Sequence, residues 1–172
     1  MVVVLRRTRK LEGPLPASET MHTKSATALG DWYVNRLSID RKPLLLFVSA
    51  RSLLPILIPA RAVAQLPNRL PEIVAARLRR LGISPHLISA EMAAMAPVIV
   101  GPTADRSVLG IMVDFGKVVP LCLEPGSWNE STLPFVEARL AETPCYAGRR
   151  LEDVVFPNTA APALLAAQWG AG

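Results

Sequence analysis

Residues Trp32 to Ile58, WYVNRLSIDRKPLLLFVSARSLLPILI, decide the fold. Trp32 to Ile39 alternates well enough for a strand, with Tyr33 and Asn35 on one face and Trp32 and Val34 on the other. Asp40-Arg41-Lys42-Pro43 has turn chemistry, and Leu44 to Val48 follows as an unbroken apolar run. Such a run belongs to a strand buried on both faces, so layers are expected above and below it. Ser49-Ala50-Arg51-Ser52 is a polar break, and Leu53 to Ile58 reads as the returning strand of a hairpin. Pro55 places that strand at an edge or a bulge. Asn35 suits a strand backbone poorly, which points to a capping or loop-holding role.

Outward from this core, Val2 to Leu5 reads as a short N-terminal strand. Residues 13–30, rich in Pro, Ser, Thr and Ala, read as a mobile loop. From Asn68 the period changes to that of a helix. Leu70, Ile73, Val74, Leu78 and Leu81 form one stripe, with Asn68 as the N-cap and Gly82 as the stop. Ser84-Pro85 restarts a helix with an apolar stripe of Leu87, Ile88, Met92 and Met95. Val98 to Val100 is a short strand. A helix over 103–115 buries Val108, Leu109, Met112, Phe115 and Val119, and Pro120 limits its end. Ser131 caps a helix through Leu140. Ala160 to Trp169 forms a last short helix before a frayed Gly-Ala-Gly end. The expected class is α+β: one domain over 1–172, with a small, mostly antiparallel sheet of the N-terminal strand and the 32–58 hairpin region. Helices from 68 onward cover that sheet.

The 172 residues are 51% hydrophobic, 19% charged and only 5% aromatic, a globular composition with an aliphatic core. The formal net charge is +5, which admits an acidic partner without requiring one. Basic residues cluster in short groups: Arg6, Arg7, Arg9 and Lys10; Arg36, Arg41 and Lys42; Arg77, Arg79 and Arg80. The first and last are the candidate nucleic-acid contacts. Such a role requires the groups to converge on one face.

Cys122 and Cys145 read as free thiols in a reducing cytoplasm. The N-terminus runs apolar then basic, the reverse of a signal peptide. Pro43 to Pro59 is too short to span a bilayer and is interrupted by Arg51 and Pro55, so no membrane association is expected.

The sequence carries few chemical motifs. His22, His86 and the two cysteines have no metal-ligand spacing, and neither a phosphate-binding loop nor a dinucleotide turn occurs. No metal or cofactor is expected. Cys145 has Arg149 and Arg150 nearby in sequence, but neither can act as its base. The stretch Thr103 to Phe115, TADRSVLGIMVDF, is more pointed. Arg106, Gly110 and Asp114 recur every four residues on one helix face. A mid-helix glycine costs about 1 kcal/mol relative to alanine, so a close approach is expected there. Both charges oppose the helix dipole, with Arg106 in the first turn and Asp114 toward the end, and each is expected to find a partner elsewhere. The face is a packing seam, a binding site or the wall of a catalytic cleft. Trp32 and Asn35 complete this candidate set.

The stretches Leu29-Gly30-Asp31-Trp32-Tyr33-Val34-Asn35, Leu46-Phe47-Val48-Ser49 with Ser52-Leu53-Leu54-Pro55, Arg106-Ser107-Val108-Leu109-Gly110-x-Met112-x-Asp114-Phe115 and Leu140-Ala141-Glu142-Thr143-Pro144-Cys145 together resemble a bacterial family of domains of unknown function. Its members stand alone or precede a plasmid ORF-3-like domain. Asp105, Ile111 and Val113 replace polar Asn, Ser and Asn of the family pattern, which weakens a catalytic reading of this helix. The resemblance supplies a fold relationship and no activity. The functional expectation is a non-enzymatic, cytoplasmic protein-interaction module, accessory or antitoxin-like and associated with mobile elements, of undetermined oligomeric state. The alternatives are a nucleic-acid-binding protein and an enzyme with its site beside Gly110.

Overall fold

The computed structural model describes residues 2–19, 25–146 and 153–171. Five strands, β1 (Val3–Arg7), β2 (Trp32–Ile39), β3 (Lys42–Ser49), β4 (Pro55–Pro59) and β5 (Val98–Pro102), form one sheet in the order β4-β3-β2-β1-β5. β2, β3 and β4 are an antiparallel meander, as the 32–58 reading requires. The sheet as a whole is mixed, however, and not mostly antiparallel. β1 lies between β2 and β5 and pairs parallel with both. Two crossovers produce this: residues 8–31 carry the chain from β1 to β2, and a helical pair carries it from β4 to β5.

The Leu44–Val48 run is buried on both faces because its residues feed two separate cores. Leu45 and Phe47 join Val3, Leu5, Trp32, Val34 and Ile56 in one. Leu44, Leu46 and Val48 join Tyr33 and Leu57 in the other. The first core is closed by α1 (Leu66–Arg80), α2 (Pro85–Ala94) and α5 (Pro157–Trp169). The second is closed by α3 (Arg106–Val118) and α4 (Leu133–Ala141). β6 (Cys145–Tyr146) and β7 (Val154–Val155) form a small antiparallel ladder absent from the sequence reading.

Most boundaries fall within a few residues of expectation. α1 starts at Leu66, with Pro67 in its first turn, so Asn68 is inside the helix and not its cap. The stop at Gly82 is real, since Ile83 N–H donates to Leu78 O and Gly82 N–H to Arg79 O. The β2–β3 turn is a two-residue loop with Asp40 and Arg41 both left-handed, at φ 51° and 63°, the backbone that matches strand twist. The returning strand begins at Pro55. Leu53 sits at φ 60°, a left-handed conformation strained for leucine, with its side chain 2% exposed. Burial of that side chain and the serines of the turn hold it. Ser49 Oγ donates to Leu29 O and accepts from Ser52 N–H, and Ser52 Oγ accepts from Leu54 N–H.

The mobile loop expected at 13–30 falls partly on residues 20–24, which lie outside the described residues, as do His22, Arg149 and Arg150. Both flanks are pinned. Leu11, Leu15, Ala28 and Leu29 are core residues, and the Glu91 carboxylate accepts from Ala28 N–H at 2.9 Å and Leu29 N–H at 3.0 Å.

Both borders of the sheet are occupied. On β5, Ser18 takes both backbone groups of Val100, through its own N–H and its Oγ. On β4, Arg77 Nε donates to Pro55 O and the Glu137 carboxylate accepts from Leu57 N–H.

Candidate functional site

α3 is fixed to the sheet from its first residue. Asp105 caps it by accepting from Ser107 N–H at 2.8 Å, and Tyr33 Oη accepts from Asp105 N–H at 2.9 Å. Val108, Ile111, Met112 and Phe115 then point into the second core. This phase leaves Arg106, Gly110 and Asp114 together on the outer face, all exposed. A Cβ built on Gly110 meets no described atom within 4 Å. The glycine is therefore not explained by packing among the described residues. Of the two apolar replacements, Ile111 is buried in the core, whereas Val113 is 56% exposed beside Gly110 and Asp114.

Arg106 makes no ion pair or side-chain hydrogen bond among the described residues, and the Asp114 charge acts on Cys145. Burial, followed by the Asp114 charge, pushes the Cys145 thiol up to about 11. Its Sγ donates to Thr143 O. A thiol so held stays protonated at neutral pH and is a poor nucleophile.

The other candidates have structural work. Trp32 is fully buried in the first core. Asn35 Oδ1 accepts from Thr8 Oγ1 at 2.7 Å, holding the chain as it leaves β1, which is the loop-holding role its strand position implied. Arg6 pairs with Asp31 at 2.9 Å and donates to Pro102 O. Arg7, 9% exposed, donates to Leu15 O. Arg77 and Arg80 converge on Glu137, and Arg79 pairs with Glu72. Only Arg9 and Lys10 of the two basic groups are without a side-chain partner among the described residues. The groups also attach at different strands, one on or just after β1 and the other on α1 against β4, with β2 and β3 between those strands.

Sequence reasoning missed two buried carboxylates. Glu91, fully buried, also accepts from Trp169 Nε1. Glu137, 1% exposed, accepts from Leu57 N–H and Arg80. Burial raises the Glu137 carboxyl above its ordinary value even though Arg77 and Arg80 pull it down, and burial likewise lowers Arg77. Both acids were detectable in principle. Glu91 occupies the same helical stripe as Ile88 and Met95, and Glu137 that of Val136 and Leu140.

A cavity of about 380 Å³ opens at the carboxyl end of β4, between Lys42, Pro59, Arg61, Trp128 and Glu130. Its charges are already paired. Arg61 meets Glu130, and Lys42 donates to Trp128 O while lying 4.7 Å from the Trp128 ring centroid. Asp40 accepts from Gly126 N–H and Trp128 Nε1, which lowers its carboxyl below the usual range. This cluster ties the β2–β3 turn to the 124–129 loop and leaves no group aimed at a ligand.

A mixed five-stranded sheet with helices on both faces defines an α+β domain. The chain belongs to the domain of unknown function family DUF6933, whose model matches residues 4–160. No curated protein and no solved structure matches it. Among the described residues, no helix is long and apolar enough to cross a membrane.

Proposed function

We propose that this protein is a non-enzymatic interaction module, an accessory or antitoxin-like component of mobile elements working in the cytoplasm, and that the outer face of α3 is its contact surface. The observation that carries this is Gly110. It sits mid-helix on a rigidly docked element, costs helix stability, and meets no described atom within 4 Å, between two charges without ion-pair partners among the described residues. A missing side chain on an exposed helix allows another backbone to approach closely. The mobile-element association rests on the resemblance to domains that precede a plasmid ORF-3-like domain, and the free thiols Cys122 and Cys145 suit a reducing compartment. The protonated Cys145 weighs against thiol catalysis, and the internal bonding of Arg6, Arg7, Arg77, Arg79 and Arg80 weighs against a nucleic-acid face.

The test is affinity purification from the native host with wild type and Gly110→Arg as baits, followed by identification of what co-purifies. A defined partner held by the wild type and lost from an equally stable Gly110→Arg is the expected result. Identical recovery with both baits, or no partner with either, overturns the assignment of this face.

A further inference from the structure

The α3 face has a symmetry that identifies its occupant. Arg106 and Asp114 lie four residues either side of Gly110, which places each about 6 Å along the helix axis from it. Consider a second copy of the helix laid antiparallel across the first, with the two-fold axis passing through Gly110. Arg106 of one chain then stands opposite the partner's Asp114, and its Asp114 opposite the partner's Arg106. A two-fold contact requires this self-complementarity. Absence of a side chain at the crossing lets the backbones come closer than the usual 8–10 Å between packed helices, within reach of both pairs.

The helix dipole supplies a second argument. Within its own helix each charge is misplaced, Arg106 at the positive end and Asp114 toward the negative end. In the antiparallel pair Arg106 lies against the negative end of the partner helix and Asp114 against the positive end. The arrangement that is unfavourable in one chain becomes favourable between two. Val113, 56% exposed on the same face, adds apolar area beside the crossing.

We infer that the protein self-associates through α3, as a two-fold antiparallel dimer with Gly110 at the axis and two reciprocal Arg106–Asp114 pairs. This deepens the interaction-face reading and rests on it.

The test is sedimentation of purified full-length chains across micromolar concentrations, with circular dichroism melts to establish folding. Wild type is expected to dimerise. Arg106→Asp gives a chain with two acids on the face and Asp114→Arg a chain with two bases, so each alone is expected to lose about tenfold or more in dimer affinity. Mixed together, they are expected to form a heterodimer, because every facing pair is again opposite in sign. The double variant, Arg106→Asp with Asp114→Arg, is expected to dimerise as wild type does. A monomeric wild type, dimerisation indifferent to the single reversals, or folded single variants that fail to pair on mixing would each overturn the inference. Should the wild type be monomeric while Gly110→Arg still abolishes capture of a different partner, self-association falls and the interaction face stands.

Discussion

Two glycines show how differently one residue type can serve this chain. Gly30 is left-handed at φ 76°, and a Cβ there would lie 2.8 Å from Arg51 Cγ. Gly30→Ala is therefore expected to destabilise the fold by more than about 1 kcal/mol, seen as a lower urea midpoint with an unchanged slope. Gly110 is helical, and a Cβ there meets no described atom within 4 Å. Gly110→Ala should raise stability, by about 0.5–1 kcal/mol, while weakening any association through α3. Opposite signs from the same substitution separate a glycine kept for folding from one kept for contact. A stability loss at Gly110 would mean that the helix face is needed by the chain itself.

At the scale of elements, the β4 border is the most consequential contact. An edge strand exposes backbone groups that invite another chain. Here Arg77 and Glu137 replace that neighbour, one donating to Pro55 O and the other accepting from Leu57 N–H. Glu137→Ala leaves a buried N–H without its acceptor and should cost about 1–3 kcal/mol, measured by urea unfolding. The pH response is also specific. Burial raises the folded-state pKa of Glu137 above its unfolded value. Its contribution to stability is thus fullest below the usual carboxylate range and is lost as pH rises through the raised value. Glu137→Gln lacks this titration. The stability of wild type relative to Glu137→Gln should fall between acidic and neutral pH, and a rise over that window would refute the assignment.

These elements also mark what the sequence discloses. The 44–48 run signals a strand covered on both faces, because its alternate residues serve two apolar cores. The parallel pairing of β1 is not legible, since a five-residue strand specifies no neighbour and its partner β5 lies some ninety residues away. Arg106, Gly110 and Asp114 are legible as one face from spacing alone. That the face stays exposed among the described residues depends on which side of α3 the second core occupies. Glu91 and Glu137 escape notice because a helical carboxylate is ordinarily solvated, and only its phase within the apolar stripe shows otherwise.

Across the whole molecule, Glu91 joins parts distant in the chain. Its side-chain oxygens accept from the 28–29 backbone and from Trp169 at the end of α5, so the β1–β2 crossover, α2 and the C-terminal helix share one side chain. Gln at this position keeps a single acceptor oxygen. Glu91→Gln is expected to cost about 2 kcal/mol and to accelerate hydrogen exchange at Ala28 and Leu29. Protection unchanged at those amides would show that packing alone holds the crossover.

Ser18 at one border and the Arg77–Glu137 pair at the other give the domain a directionality in how it can grow. Strand-by-strand extension, the route by which sheets recruit neighbours and also the route to fibrils, meets backbone groups already engaged at Val100 on one margin and at Pro55 and Leu57 on the other. Assembly through the proposed two-fold α3 contact would instead close after two copies, without propagating.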